Sequence, residues 1–351
     1  MNELRRVLVI RRDNIGDLVC TTPLIAALRA RFPRAWVGAL VNSYNAPVLE
    51  GNPDLDAVYS YEKLKHRSVD GAPLGTFVGA VIARFGLIRR LRALELDCVA
   101  IATPVHVART VTLAAMLRPQ AIAGFVDGKR PDSRIHLPVP QETTAGLHEV
   151  EAVYRLAPLL GIDAPIPRLK IVPAADAVAK ARSAIERAGL TGRTLVGVHL
   201  SARRPAQRWP EDRYAELIVK LNERINAASV MLWSPGAADH PRHPGDDAKA
   251  IEVERLVGAR APLLAYPTVE LRDLIAALSV CDAMVCPDGG AMHIAAALDK
   301  PTVALFGDSS PERWRPWGVP HRVLRPESRS LTDLGEEEVL SALAELYALM
   351  R

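Results

Sequence analysis

Residues 6–17 read RVLVIRRDNIGD, a β-branched run that breaks into a polar turn, and the rest of the chain repeats what this stretch begins. Arg6-Val7-Leu8-Val9-Ile10 is the short apolar run of a strand buried on both faces. Arg11 to Gly16 is a polar turn. From Asp17 to Arg31 the apolar positions Leu18, Leu24, Ile25 and Leu28 recur at helical spacing and predict a helix. Ala35 to Val41 reads as a second strand, and the alternation continues through Cys98 to Ala102. This is the βαβ rhythm of a parallel sheet with helices on both faces.

The rhythm restarts after residue 170. Strands are expected over Thr194–Leu200, Ser229–Trp233, Ala283–Cys286 and Thr302–Phe306. Helices are expected over Glu211–Asn226, just after Trp209-Pro210, and over Val269–Val280 and Ala291–Leu298. Between the two series lie a helix over His148–Ile162 and the proline-rich Ala164-Pro165-Ile166-Pro167, while Pro235–Asp247 reads as a loop. The simplest α/β architecture is two doubly wound, Rossmann-like domains, residues 1–168 and 169–330, facing each other across a cleft. A closing helix, Leu334–Met350 within residues 331–351, is expected to pack back on the first domain.

A chain of 351 residues exceeds one ordinary core, which agrees with two domains. Hydrophobic residues at 49% and charged residues at 24% exclude disordered, collagenous and coiled-coil classes. The net charge of +4 is unevenly spread, with +5 on residues 1–150 and −1 on residues 151–351. That asymmetry suggests an anionic partner for the first domain, yet the excess is too small for a dedicated nucleic-acid binder. Cys20, Cys98, Cys281 and Cys286 lack zinc or iron spacing and read as buried reduced thiols of a cytoplasmic protein. The amino terminus has too short an apolar run for a signal peptide. The longest apolar region, Ala100–Leu117, is interrupted by His106 and Arg109, so no bilayer span is expected.

Three turns carry candidate chemistry. The first is Arg11–Asp17, between a strand's carboxyl end and a helix's amino end, where open α/β sheets bind ligands. Gly16 permits close backbone approach. Asp17 is either a helix N-cap or a carboxylate acting as a general base. A helix amino end stabilises a carboxylate and so weakens it as a base, a tension that desolvation on closure would have to relieve. The second turn is Cys286-Pro287-Asp288-Gly289-Gly290-Ala291-Met292-His293. It has neither the three-glycine dinucleotide fingerprint nor a P-loop lysine, but it offers free N–H groups and a helix dipole to an anion. There the glycine pair admits a diphosphate and His293 can donate to it; the alternative is a tight turn with Asp288 as cap. The third, His199 to Pro210, carries Arg203, Arg204 and Arg208, whose guanidiniums suit phosphate. Residues 63–134 add twelve Lys/Arg against five acids. Most of these belong to a solvated surface, and a subset is available to a phosphorylated or carboxylated acceptor, including at a membrane face.

These segments, in this order, resemble family 9 of the glycosyltransferases, the ADP-heptose:lipopolysaccharide heptosyltransferases. The resemblance is carried by VLVIRRDNIGDLVCTTPLIAALRARFP, HEVEAVYRLAPLLGI, QRWPEDRYAEL and the long stretch from LRDLIAALSV to PERWRPWG. It implies a GT-B fold with the acceptor in the first domain and the nucleotide-sugar donor in the second. It also implies inverting, single-displacement transfer, with Asp17 in the catalytic-base position. On the donor side it implies Asp288, Gly289, Gly290, Met292 and His293 in the donor turn, and Ser201 near the diphosphate. Gln207 stands where many members carry lysine, so phosphate charge has to come from Arg208, Arg203 or Arg204, or the donor differs. Gly289 likewise replaces the usual Thr or Ser. Arg11, Asn14, Gly16, Lys63, Lys65 and Arg67 are the candidates to meet the acceptor. No metal or other cofactor is required, and magnesium is compatible but not implied. The expected partners are ADP-heptose and an anionic glycolipid or saccharide, with no nucleic acid and with peripheral contact at the inner membrane. Transfer to another polysaccharide, natural product or protein, sugar-nucleotide epimerisation, and non-catalytic nucleotide-sugar binding stay open as alternatives.

Overall fold

The computed structural model describes residues 3–61, 74–239 and 244–350. The chain divides after Lys170 into two units. In the first, β1 (Arg6–Ile10), α1 (Ile15–Val19), α2 (Thr22–Arg31), β2 (Trp36–Asn42) and β3 (Ala57–Tyr61) precede α3 (Leu74–Arg92) and β4 (Cys98–Ile101). They are followed by α4 (Ala108–Met116), β5 (Ala121–Val126), β6 (Leu137–Pro140) and α5 (Glu149–Tyr154). All six strands are parallel, in the order β3-β2-β1-β4-β5-β6. Val7 to Ile10 are buried because β1 lies inside the sheet and helices cover both faces. Leu8, Ile10, Val99 and Ile101 pack against Leu87, Ile88 and Leu91 of α3 and Val111 and Ala114 of α4. The strand order reverses between β1 and β4, so Arg11 and Ala102 lie just outside the carboxyl ends at the switch point, where such sheets bind ligands.

The second unit repeats this winding. It runs α6 (Ala175–Arg187), β7 (Thr194–His199), α7 (Glu211–Ile225), β8 (Ala227–Trp233), α8 (Asp247–Val257), β9 (Leu263–Pro267) and α9 (Leu271–Ser279). Then come β10 (Ala283–Pro287), α10 (Gly290–Ala297), β11 (Thr302–Leu305), α11 (Pro311–Trp314), β12 (His321–Leu324) and α12 (Glu336–Met350). The order β12-β11-β10-β7-β8-β9 is again all parallel and reverses between β7 and β10. Leu200 and Asp288 are the first residues past the strands at that switch point.

Two sequence expectations need correction. The helix expected over 17–31 is two helices, because Pro23 brings no N–H to the Val19 carbonyl; Thr22 Oγ1 donates to that carbonyl instead, at 2.7 Å. The helix expected over 148–162 stops at Tyr154. Pro158 cannot donate to the Tyr154 carbonyl, and a 3₁₀ turn over Pro158–Leu160 ends on Gly161 at φ +74°. The closing helix, α12, packs on α7, β11 and β12 of its own unit. Its Val339, Leu340, Leu343 and Leu346 enter the core with Trp209, Leu217, Leu221 and Val303, and Glu336 takes Arg213 at 2.5 Å and Lys220 at 2.7 Å from α7.

The four cysteines are buried, and burial pushes the Cys98 and Cys281 thiols up to about 12. Among the described residues, no helix is long and apolar enough to cross a membrane.

Because Leu343 is fully buried in the second unit's core, Leu343→Ala is expected to destabilise that unit by about 2–5 kcal/mol, read as an earlier urea midpoint of tryptophan fluorescence.

Candidate active site

In the first unit the turn after β1 is built around a buried cation. Arg11 is 2% exposed. Its Nη2 donates to Asp17 Oδ1 at 2.6 Å and to Glu149 Oε1 at 2.7 Å, and its Nη1 donates to the Ala102 carbonyl beyond β4. Asp13 Oδ2 lies 2.9 Å from Nε. Burial pulls the guanidinium's pKa down, but Glu149, Asp17 and Asp13 raise it further than burial lowers it, so Arg11 stays charged. The side chains of Asn42, Tyr44 and Asn45 hold the turn from the far side by donating to the Arg12, Asp13 and Asn14 carbonyls.

Asp17 is not the N-cap. Asn14 holds that position and Asp17 sits at the third helical position, its Oδ2 accepting from Asn14 N and Asn14 Nδ2, both at 2.9 Å. A carboxylate has about four lone-pair sites. Arg11 and Asn14 use three, and the remaining one is on Oδ1. Asp17 is 8% exposed, so this lone pair sits in a nearly closed niche.

Of the residues expected to meet an acceptor, Asn14 is exposed, whereas Gly16 and Arg11 are buried. Arg11 therefore supports the turn from beneath and offers no free guanidinium to an acceptor. Lys63, Lys65 and Arg67 lie outside the described residues. The basic series does place Arg84 and Arg109 near Arg12: burial, then these two like charges, lower the Arg12 pKa to about 10.

In the second unit Gln207 is buried rather than presented. Its Nε2 donates to Asp288 Oδ2 and to Ser309 Oγ, each at 3.0 Å, and so ties the turn after β7 to the turn after β10. Burial raises the Asp288 pKa, against hydrogen bonds from Ser309 and Gln207 and the charge of Arg204. Asp288 does not cap α10; Gly289 is the N-cap, with extended backbone (φ 167°) that any residue adopts. A Cβ built on Gly289 would meet nothing within 4 Å, so the space above the amino end of α10 is open. Met292 is fully buried, and His293 is nearly so, its ring edge-on to Trp314 at 5.9 Å; both lie under the turn.

Arg208 Nε donates to the Ala202 carbonyl at 3.1 Å, and exposed Arg204 lies 3.4 Å from Asp308. Ser201 Oγ accepts from Ser234 N at 2.9 Å and, among the described residues, has no protein acceptor for its own proton. Trp209 anchors the whole loop. It is fully buried, edge-on to Tyr214 at 4.7 Å, and its Nε1 donates to the Leu334 carbonyl at 3.0 Å.

Sequence reading missed Glu149 and Ser309. Ser309 follows a glycine turn that nothing marks as special, and Glu149, at the start of a helix, resembles an ordinary dipole partner. Among the described residues no group of three or more His, Cys, Asp or Glu side chains is placed to hold a metal ion.

Two doubly wound parallel sheets, each with a polar turn at its switch point, define a GT-B type glycosyltransferase fold. The family model of glycosyltransferase family 9 (heptosyltransferase) matches residues 84–343, and the chain belongs to that family. Lipopolysaccharide heptosyltransferase 2 of Salmonella typhimurium is 26% identical over 328 residues, 91% of this chain and 88% of that protein. The family 9 glycosyltransferase of Veillonella parvula superposes with a TM-score of 0.82 at 20% identity, covering 98% of this chain and 97% of that one. The E. coli ADP-heptose LPS heptosyltransferase II gives 0.75 at 22% identity, covering 98% and 99%.

His199, the last residue of β7, is buried, and its Nδ1 has no hydrogen-bond partner among the described residues. Burial and the nearby Lys249 lower its pKa from 6.5 to about 4. With the folded value below the unfolded one, the neutral ring's contribution is whole above about pH 6.5 and is lost as pH falls toward about 4. That loss is roughly 3 kcal/mol, and His199→Asn is expected to flatten it in urea unfolding curves compared at pH 7 and pH 4.5.

Proposed function

We propose that this glycosyltransferase moves heptose from ADP-heptose to an anionic saccharide of the lipopolysaccharide inner core by inverting single displacement, with Asp17 as general base. The observation that carries the reading is the Asp17 carboxylate at the first switch point, held by Arg11 and Asn14 with one lone pair left over. In the step, Oδ1 takes the proton of the acceptor hydroxyl, the acceptor oxygen bonds to the anomeric carbon, and ADP leaves from the opposite face with the bonding pair. Membership of family 9 and the likeness to an ADP-heptose LPS heptosyltransferase support this donor and acceptor class.

The donor's diphosphate is assigned to the open amino end of α10 above Gly289 and Gly290. The Ser201 hydroxyl proton has no protein acceptor among the described residues, and exposed Arg204 and half-buried Arg208 supply positive charge. Asp288 is committed to Gln207 and Ser309, so it shapes the turn rather than meeting phosphate. The helix dipole and arginines do here what a metal does in other transferases, and no metal is assigned to the reaction. On the acceptor side, Arg12, Arg84 and Arg109 come near one another beside Asp13, in a first unit whose net charge is positive, which suits a phosphorylated or carboxylated glycolipid. Such an acceptor would bring the protein to the cytoplasmic face of the inner membrane as a peripheral partner.

Asp17→Asn is expected to cut heptose transfer roughly 10²- to 10⁴-fold while leaving the ADP-induced thermal shift in place. Turnover near wild type in that variant, on deacylated lipopolysaccharide cores truncated by successive sugars, would remove the base assignment. A thermal-shift comparison of ADP, ADP-heptose and UDP is expected to rank ADP-heptose first and UDP last. A response to UDP alone would overturn the donor.

A further inference from the structure

Three carboxylates surround one buried guanidinium, and only two of them come from its own turn. Asp13 and Asp17 already give Arg11 more negative charge than its own +1 demands, and both come from the same turn. Glu149 is 138 residues from Arg11 in sequence and 1% exposed. Burying it adds a desolvation cost and leaves the four-residue cluster with a formal charge of −2. Its placement is nonetheless firmly built. His148 caps α5, with Val150 N donating to His148 Nδ1 at 3.1 Å and His148 N donating to Glu151 Oε2 at 2.9 Å, so the first helical residue is fixed.

The geometry at Arg11 suggests what Glu149 is for. Nη2 carries two hydrogens, and one goes to Asp17 Oδ1 while the other goes to Glu149 Oε1. A guanidinium is planar, so fixing one hydrogen of Nη2 fixes the direction of the other. Without Glu149, Arg11 would be oriented on that side by Asp17 alone, the group that must accept and later release a proton.

We propose that Glu149 is a positioning residue for Asp17, acting through Arg11: it turns the guanidinium onto Asp17 and shares its charge, so the base is held without being neutralised. This rests on the reading of Asp17 as the base. Among the described residues, the charged groups that share Arg11 with Asp17 are Asp13 from the same turn and Glu149 from α5; His148 stands beside Glu149. From just past β4 the cluster receives the uncharged Ala102 carbonyl and the Thr103 hydroxyl, which donates to Asp13.

The test is the pH dependence of kcat/KM for transfer from ADP-heptose to the truncated lipopolysaccharide cores. Glu149→Gln keeps an oxygen that can accept from Nη2 but throws the whole charge of Arg11 onto Asp17 and Asp13. Its acidic limb is expected to move down by about half to one pH unit. Its kcat should fall roughly three- to tenfold, with the donor KM within about twofold of wild type. Glu149→Asp restores the charge and should return the limb to its wild-type position even if kcat stays low. Should Glu149→Gln fail to fold, the double variant Arg11→Met/Glu149→Gln keeps the cluster's formal charge at −2. Its limb should move up, because Asp17 has lost its cation. A limb at the wild-type position in every variant that folds overturns the proposal, whatever the loss of activity, because a purely structural Glu149 would lower rate or yield without moving it. A fully active Asp17→Asn removes the base assignment itself, whereas an inactive Asp17→Asn with an unmoved limb in Glu149→Gln overturns this inference alone.

Discussion

A guanidinium with almost no contact with solvent must find its counter-charges inside the protein, and Arg11 finds three. It is the first residue past β1, and the turn that follows is wrapped around it. Asp13 and Asp17 reach it from the turn, the Ala102 carbonyl from the end of β4, and Glu149 from α5. One side chain thus joins the two central strands of the first sheet to a helix near the end of that unit. The orientation of Asp17 is a consequence of this arrangement. Removing the cation while all three carboxylates stay charged would leave like charges facing one another, two of them buried.

The second unit meets the same topological situation with different chemistry. At its switch point the two turns are joined by a carboxamide, Gln207, which donates to a carboxylate and a hydroxyl. No full charge is buried at the centre of that contact except Asp288, whose pKa burial raises. A lysine at position 207 would put a cation beside Asp288 and lower it. The glutamine adds no charge of its own to the link, and Arg203 and Arg204 beside it stay exposed. In the proposed function, the first turn holds the base and the second receives the donor's diphosphate.

Much of this could be read from the chain beforehand, for identifiable reasons. The strands at the middle of each sheet, β1, β7 and β10, carry buried apolar runs because both faces are covered, and such runs are visible without a partner. The half-buried edge strand β12 carries His321 and Arg322 and shows no such run. Helix ends were misjudged where a proline acts on a carbonyl four residues earlier, at Pro23 and Pro158. Asp17 stood out as a candidate base because a carboxylate next to a glycine at a sheet edge is a local pattern. Glu149 did not, since its partner is far away in sequence and its own position is an ordinary one for an acid. Gln207 read as a missing charge, and the structure gives it a positive role as the link between two turns.

The indole of Trp209 has a consequence for how this protein is made. Its N–H closes on the Leu334 carbonyl, 125 residues further on, and its ring is sealed by a core to which α12 contributes Val339, Leu340, Leu343 and Leu346. On a ribosome the first unit is complete once residue 170 has emerged, and its sheet can close while synthesis continues. The loop carrying Ser201 and Gln207 has to wait for residues 334–346 before its anchor exists. The two halves of the molecule therefore mature at different times, and a prematurely terminated chain would hold a finished first turn beside an unfinished second one.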